Sequence, residues 1–122
     1  MKKLPDAEFE IMKVVWANIP PITTNMIMEQ LGNEKAWKAP TVISLMSRLV
    51  ERGFLSTEKK GKERTYSAKI DKEEYLQFET GNFIKKYHSN SFSSFVSSLF
   101  EGRKINEKDI DELIKWVKDR RE

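Results

Sequence analysis

The side chains here that could do chemistry are hydroxyls, cations and one isoleucine in an odd place. In the stretch Lys38–Phe54, KAPTVISLMSRLVERGF, Thr41, Ser44, Ser47 and Arg48 recur at helical spacing with Ile43 among them. Val42, Leu45, Met46, Leu49 and Val50 take the other positions and read as a buried stripe. Short hydroxyls let a helix enter a duplex groove and bond to base edges or phosphates. Arg48 reaches a phosphate or a guanine. Ile43 cannot hydrogen-bond, but it suits the methyl group of thymine. Lys38 stands at the start of the same stretch. A second group, Lys59, Lys60, Lys62 and Arg64, lies in KKGKER, where cations would touch phosphates and position the chain without reading sequence. Near Thr23 and Thr24, the free N–H groups of a helix start form a further phosphate site.

Charge placement agrees. From Lys35 to Arg64 there are eight Lys/Arg against three Asp/Glu, and from Ile70 to the end ten against eleven. The basic excess surrounds the candidate helix. Other classes do poorly. The sequence has no nucleophile elbow, no phosphate loop and no metal-ligand cluster, so neither enzyme nor cofactor is expected. His88 is the only histidine and reads as a surface or capping residue. There is no cysteine, which excludes disulfides and thiolate metal sites and fits a reducing compartment. MKKLPDAEFE has two lysines with no apolar run behind them, so it reads as neither a signal peptide nor a span.

Local signals supply the elements that hold these groups. Phe9, Met12, Val15, Trp16 and Ile19 predict a first helix, with Asp6 as N-cap and Pro20–Pro21 as the stop. A short second helix begins at Thr23 or Thr24 and ends with Gly32 as C-cap. The third starts near Pro40 and stops at Gly53. FLSTEKK and RTYSAKI, joined through Gly61, read as a β-hairpin. The expected fold is mainly α with a small β-hairpin wing: a winged helix-turn-helix over 1–70, followed by a three-helix dimerisation region over 71–122. Tyr75, Phe78, Phe83, Phe92, Phe95, Val96, Leu99, Ile110, Leu113 and Val117 supply its apolar stripes. About 50 residues can barely bury such a set alone, so a second copy is expected to cover it.

DAEFEIMKVVW at 6–16, AWKAPTVISLMSRLVERGFL at 36–55, RTYSAKI at 64–70 and DIDEL at 109–113 resemble the penicillinase repressors, the BlaI/MecI family, over nearly the whole chain. The resemblance implies a cytoplasmic homodimeric repressor that binds palindromic operators with TACA/TGTA half-sites. It implies silenced β-lactamase or penicillin-binding-protein genes, released when a membrane-bound sensor protease system has the repressor cut in its dimerisation region. Two departures from the family pattern stand out. Ile43 and Pro40 replace a usual Arg and Lys, which bears on operator preference. The bond matching the family's Asn–Phe cleavage bond is Ser98–Leu99, so the position matches and the residue pair does not. The copper-sensing branch uses cysteine pairs, which this chain lacks. A repressor of another gene set and a winged-helix protein-interaction module remain the alternative readings.

Overall fold

The computed structural model describes residues 1–121. Helix α1 is Asp6–Ala17. Helix α2, Thr24–Ile27, runs on into a wider helical turn over Met28–Gly32. Helix α3 is Ala39–Glu51, strands β1 and β2 are Leu55–Lys60 and Glu63–Ala68, and helices α4 to α6 are Lys72–His88, Phe92–Glu101 and Glu107–Arg121. The described residues form two compact units, one over Met1–Glu79 and one from Thr80 on.

Helix α1 begins one residue away from the expected cap. Pro5 holds the N-cap position with extended backbone, and its carbonyl accepts the Phe9 N–H at 2.9 Å. Asp6 is therefore the first helical residue, where its charge still favours the helix N-terminus. The helix stops at Ala17, and Asn18 turns extended. That throws Ile19 out of phase, and it is 88% exposed rather than part of the stripe. In α2, Thr23 is the cap: its hydroxyl accepts the Met26 N–H at 3.2 Å. Gly32 is not the left-handed C-cap expected; that conformation falls on Ala36, at φ 58°. The glycine serves packing instead, since a Cβ there would come within 2.8 Å of the Met28 sulfur.

Helix α3 runs as its sequence implies. Pro40 lies in the first turn. Gly53 ends the helix at φ 82°, with its N–H on the Val50 carbonyl and the Phe54 N–H on the Leu49 carbonyl, the bond pattern of a Schellman cap. The hairpin turns at Gly61–Lys62 with positive φ at Gly61 alone, as a two-residue turn led by glycine requires. Ile22 pairs with Tyr66 on the free side of β2. The core between these elements contains Ile11, Met12 and Val15 of α1, Ile22, Ile27 and Leu31, Val42, Leu45, Met46 and Leu49 of α3, and Phe54, Leu55 and Tyr66.

The boundary expected between 70 and 71 is corrected. Tyr75 is fully buried in the first unit. Its ring centroid lies 5.8, 5.9 and 5.5 Å from those of Phe9, Trp16 and Phe54, and its hydroxyl accepts the Leu4 N–H at 2.8 Å. Phe78 packs partly buried on the same core, and the Trp16 indole N–H donates to the Ile70 carbonyl at 3.0 Å. The first two turns of α4 thus complete the N-terminal core. Tyr75 has no surface left for a second chain, and Phe78 little. Asp71 caps α4, accepting the Glu74 N–H at 2.7 Å.

The second unit holds the rest of α4 with α5 and α6. Ser91 caps α5 by accepting the Ser94 N–H, and Asn106 and Asp109 cap α6 reciprocally. Neither α5 nor α6 contains a buried residue.

Candidate nucleic-acid interface

The two faces of α3 divide cleanly. Val42, Leu45, Met46 and Leu49 are buried, while Thr41, Ile43, Ser44, Ser47 and Arg48 are exposed. Ile43 is 48% exposed, a price in solvated apolar surface that nothing within the chain relieves. Lys38 is exposed at the N-cap of the same helix. The side chains of the outward face are short, since a hydroxyl or methyl group ends each of Thr41, Ile43, Ser44 and Ser47, and only Arg48 is long.

A cleft of about 320 Å³ lies between this helix, the start of α2 and the wing. It is lined by Thr23, Thr24, Asn25, Ile43, Lys62, Glu63, Arg64 and Tyr66. Thr23, Thr24, Ile43, Lys62 and Arg64, all named from sequence, are therefore brought together from three elements. Lys38, Thr41, Ser44, Ser47 and Arg48 lie along the helix outside the cleft, and Lys59 and Lys60 do not line it. The two threonines are partly committed: Thr23 caps α2, and the Thr24 hydroxyl faces the Met46 sulfur at 4.0 Å. Asn25 and Glu63 escaped the sequence reading. Asn25 could have been found as the third polar residue of TTN, whereas Glu63 reads only as one charge in a mixed run.

Among the described residues, Lys38, Arg48, Lys59, Lys60, Lys62 and Arg64 have no carboxylate within ion-pairing distance. Their charge is available to an anion. Arg52, the C-cap of α3, is used internally. Its Nε donates to Glu8 Oε1 at 2.7 Å, and that carboxylate is 1% exposed on α1. This pair ties the end of α3 to α1 through a charge-assisted bond.

Of the expected interface residues in the second unit, Phe83 and Phe92 are 47% and 59% exposed and Val117 38%. Phe95, Val96, Leu99, Ile110 and Leu113 are half-buried. Phe100 and Ile114, which continue the same apolar stripes, and Tyr87 and Trp116 add further exposed apolar area. His88 bonds Ser94 Oγ through Nδ1 at 2.9 Å and stands beside the rings of Phe83 and Phe95, as the last residue of α4 against the start of α5. Ser98 is exposed and Leu99 half-buried within α5. No helix among the described residues is long and apolar enough to cross a membrane.

Three helices closed by a basic two-stranded wing, with a short-side-chain helix face turned outward, define a winged-helix DNA-binding protein. The structure resembles the solution structure of the DNA-binding domain of the repressor BlaI, with TM-score 0.52 and 35% identity over 62% of this chain and 94% of that one. A similar likeness, TM-score 0.51 and 32% identity over 61% and 89%, holds to the Bacillus licheniformis BlaI monomeric form in complex with the blaP half-operator. Residues 4–119 match the family described as penicillinase repressor, and the chain belongs to that family. It is 30% identical to the penicillinase repressor of Bacillus licheniformis over 93% of this chain and 90% of the relative. It is 27% identical to the methicillin resistance regulatory protein MecI of Staphylococcus aureus strain N315, over 91% and 89%. The protein is a DNA-binding transcriptional repressor and not an enzyme.

Proposed function

We propose that the chain binds a palindromic operator as a homodimer in the cytoplasm and thereby silences β-lactamase or penicillin-binding-protein genes. Helix α3 of each copy enters a major groove, and each wing lies on adjacent phosphates. The observation that carries this reading is the outward face of α3, where Thr41, Ser44 and Ser47 stand exposed beside a solvated Ile43. That combination suits base edges and a thymine methyl. The likeness to a relative solved on a half-operator supports the same docking.

One winged helix touches few bases, so its affinity alone is weak. Joined copies bind as one unit, because the second half-site is met at high effective concentration. The apolar groups left exposed in the second unit, among them Phe83, Phe92 and Val117, supply the surface for that pairing. Induction follows if a sensor protease system has the second unit cut. The matching bond, Ser98–Leu99, sits in α5 with both carbonyls engaged, Ser98 with the Gly102 N–H at 3.0 Å and Leu99 with the Lys104 N–H at 2.8 Å. A protease must therefore open the last turn of α5 before it cuts. Ile43 and the Ser98–Leu99 pair both depart from the family pattern, and these departures favour, as the second reading, a repressor of another gene set with a different inducing signal.

The test is a titration of a palindromic duplex carrying TACA and TGTA half-sites against a scrambled duplex, for the protein and for Ile43→Ala. The expected result is preference for the palindrome at two chains per duplex. Ile43→Ala should lose roughly tenfold of that preference while keeping its affinity for the scrambled duplex. Equal binding to both duplexes would move the operator elsewhere. Absence of binding to either would turn the case towards a protein-interaction module.

A further inference from the structure

The wing has two chemically different faces. Residues directly opposite in an antiparallel pair share a face, and faces alternate along each strand. The register places Leu55 with Ala68, Thr57 with Tyr66 and Lys59 with Arg64 on one face. Leu55 and Tyr66 are buried, so this is the core side, and Lys59 and Arg64 continue it beyond the core. The other face carries Glu58 opposite Thr65 and Lys60 opposite Glu63. Both acids of the hairpin are there, although Glu63 also reaches the rim of the cleft.

Two like charges placed directly opposite destabilise a hairpin. Lys59 and Arg64 are so placed, both exposed, with no carboxylate within ion-pairing distance among the described residues. Arg64 is also held in place. Its Nη1 donates to Thr57 Oγ1 at 3.3 Å, and that hydroxyl donates in turn to the Thr65 carbonyl at 3.0 Å. The hydroxyl is thereby oriented with a lone pair towards the guanidinium.

We propose that Lys59 and Arg64 form a phosphate clamp on the core-side face of the wing, with Thr57 as a positioning residue that holds Arg64 ready. The clamp takes hairpin stability in exchange for affinity, and a duplex phosphate relieves the repulsion between the two cations. Lys60, on the other face and opposite Glu63, contributes less. This rests on the DNA-binding reading above and deepens it by ranking the wing cations.

The experiment uses the full chain and a mixed-sequence duplex, titrated over a range of salt, with melting temperatures taken without DNA. Lys59→Gln and Arg64→Gln should each weaken binding about tenfold and flatten the salt slope by roughly 1. Each should also raise the melting temperature, by about 2 °C, because a like-charge pair is removed. Lys60→Gln should weaken binding only about twofold and should not raise the melting temperature, since the residue opposite Lys60 is the acid Glu63 rather than another cation, even though the two do not form a close ion pair. Thr57→Val, which keeps a β-favouring side chain, should weaken binding about threefold in the presence of Arg64 and not at all in an Arg64→Gln background. If Lys59→Gln lost no more affinity than Lys60→Gln, or melted lower than the unaltered chain, the clamp would be overturned and DNA binding would stand. If the unaltered chain bound no duplex, both would fall together.

Discussion

At the scale of single residues, Tyr75 joins parts of the first unit that lie 71 residues apart in sequence. Burial, with a smaller contribution from Glu79, pushes its hydroxyl up to about 12 from the ordinary 10.0, although the bond from the Leu4 N–H acts the other way. The folded chain thus keeps this proton where the unfolded chain loses it. The resulting stability is fully present below pH 10 and drains away as pH rises through about 12. Tyr75→Phe should be less stable than the unaltered chain at pH 7, by about 1–2 kcal/mol for the stranded Leu4 N–H. The variant should also show a shallower decline above pH 10, a comparison that paired thermal melts at pH 7 and pH 11 would make. The Glu8–Arg52 pair works at the same scale. One buried carboxylate and one guanidinium, 44 residues apart, fix where the last turn of α3 meets α1.

Among the elements, α4 is the one that crosses from one unit to the other, and its sequence changes where it does. The first unit ends at Glu79, and Thr80, Gly81 and Asn82 follow as three exposed residues of low helix propensity. Gly81 has no positive φ, and a Cβ there would meet nothing within 4 Å. Its backbone freedom therefore serves no packing need in α4. Gly81→Ala should stabilise the helix by about 1 kcal/mol, seen as a higher melting temperature by circular dichroism with an unchanged spectrum. A lower melting temperature would show that a partner surface presses against that position. The wing makes a contrasting point: its turn needs Gly61, at φ 66°, where an added side chain would be strained.

For the whole molecule, the first unit has a complete core and the second does not. Among the described residues fifteen apolar side chains are buried, all between Leu4 and Tyr75, whereas α5 and α6 bury none. A chain ending at Ser98 should therefore retain the N-terminal fold while losing part of the apolar surface proposed above to pair two copies. Its operator affinity should fall by about 10²-fold or more, the share that joining two sites contributes. Sedimentation of the fragment together with a gel-shift titration would check both halves of that expectation. Unchanged affinity would assign operator recognition to a single winged helix and remove pairing from the mechanism.

How much of this was legible in the sequence follows from the range of each interaction. Helical spacing is local, so the buried and outward faces of α3, the stop at Gly53 and the hairpin at Gly61 could all be read from neighbouring residues. The candidate face Thr41, Ile43, Ser44, Ser47 and Arg48 came with them, because a stripe defines its own opposite. Spacing does not say what a stripe packs against. Tyr75 and Phe78 lie on an apolar stripe that suits a second chain as well as the first core, and only the tertiary structure sends them to Phe9, Trp16 and Phe54. Glu8 reads as a solvated helix-start acid until the fold brings Arg52 to it. The wing cations form one equivalent cluster in sequence, and strand register alone separates Lys59 and Arg64 from Lys60. Local chemistry determined which groups face outward; long-range packing decided which of them stand together.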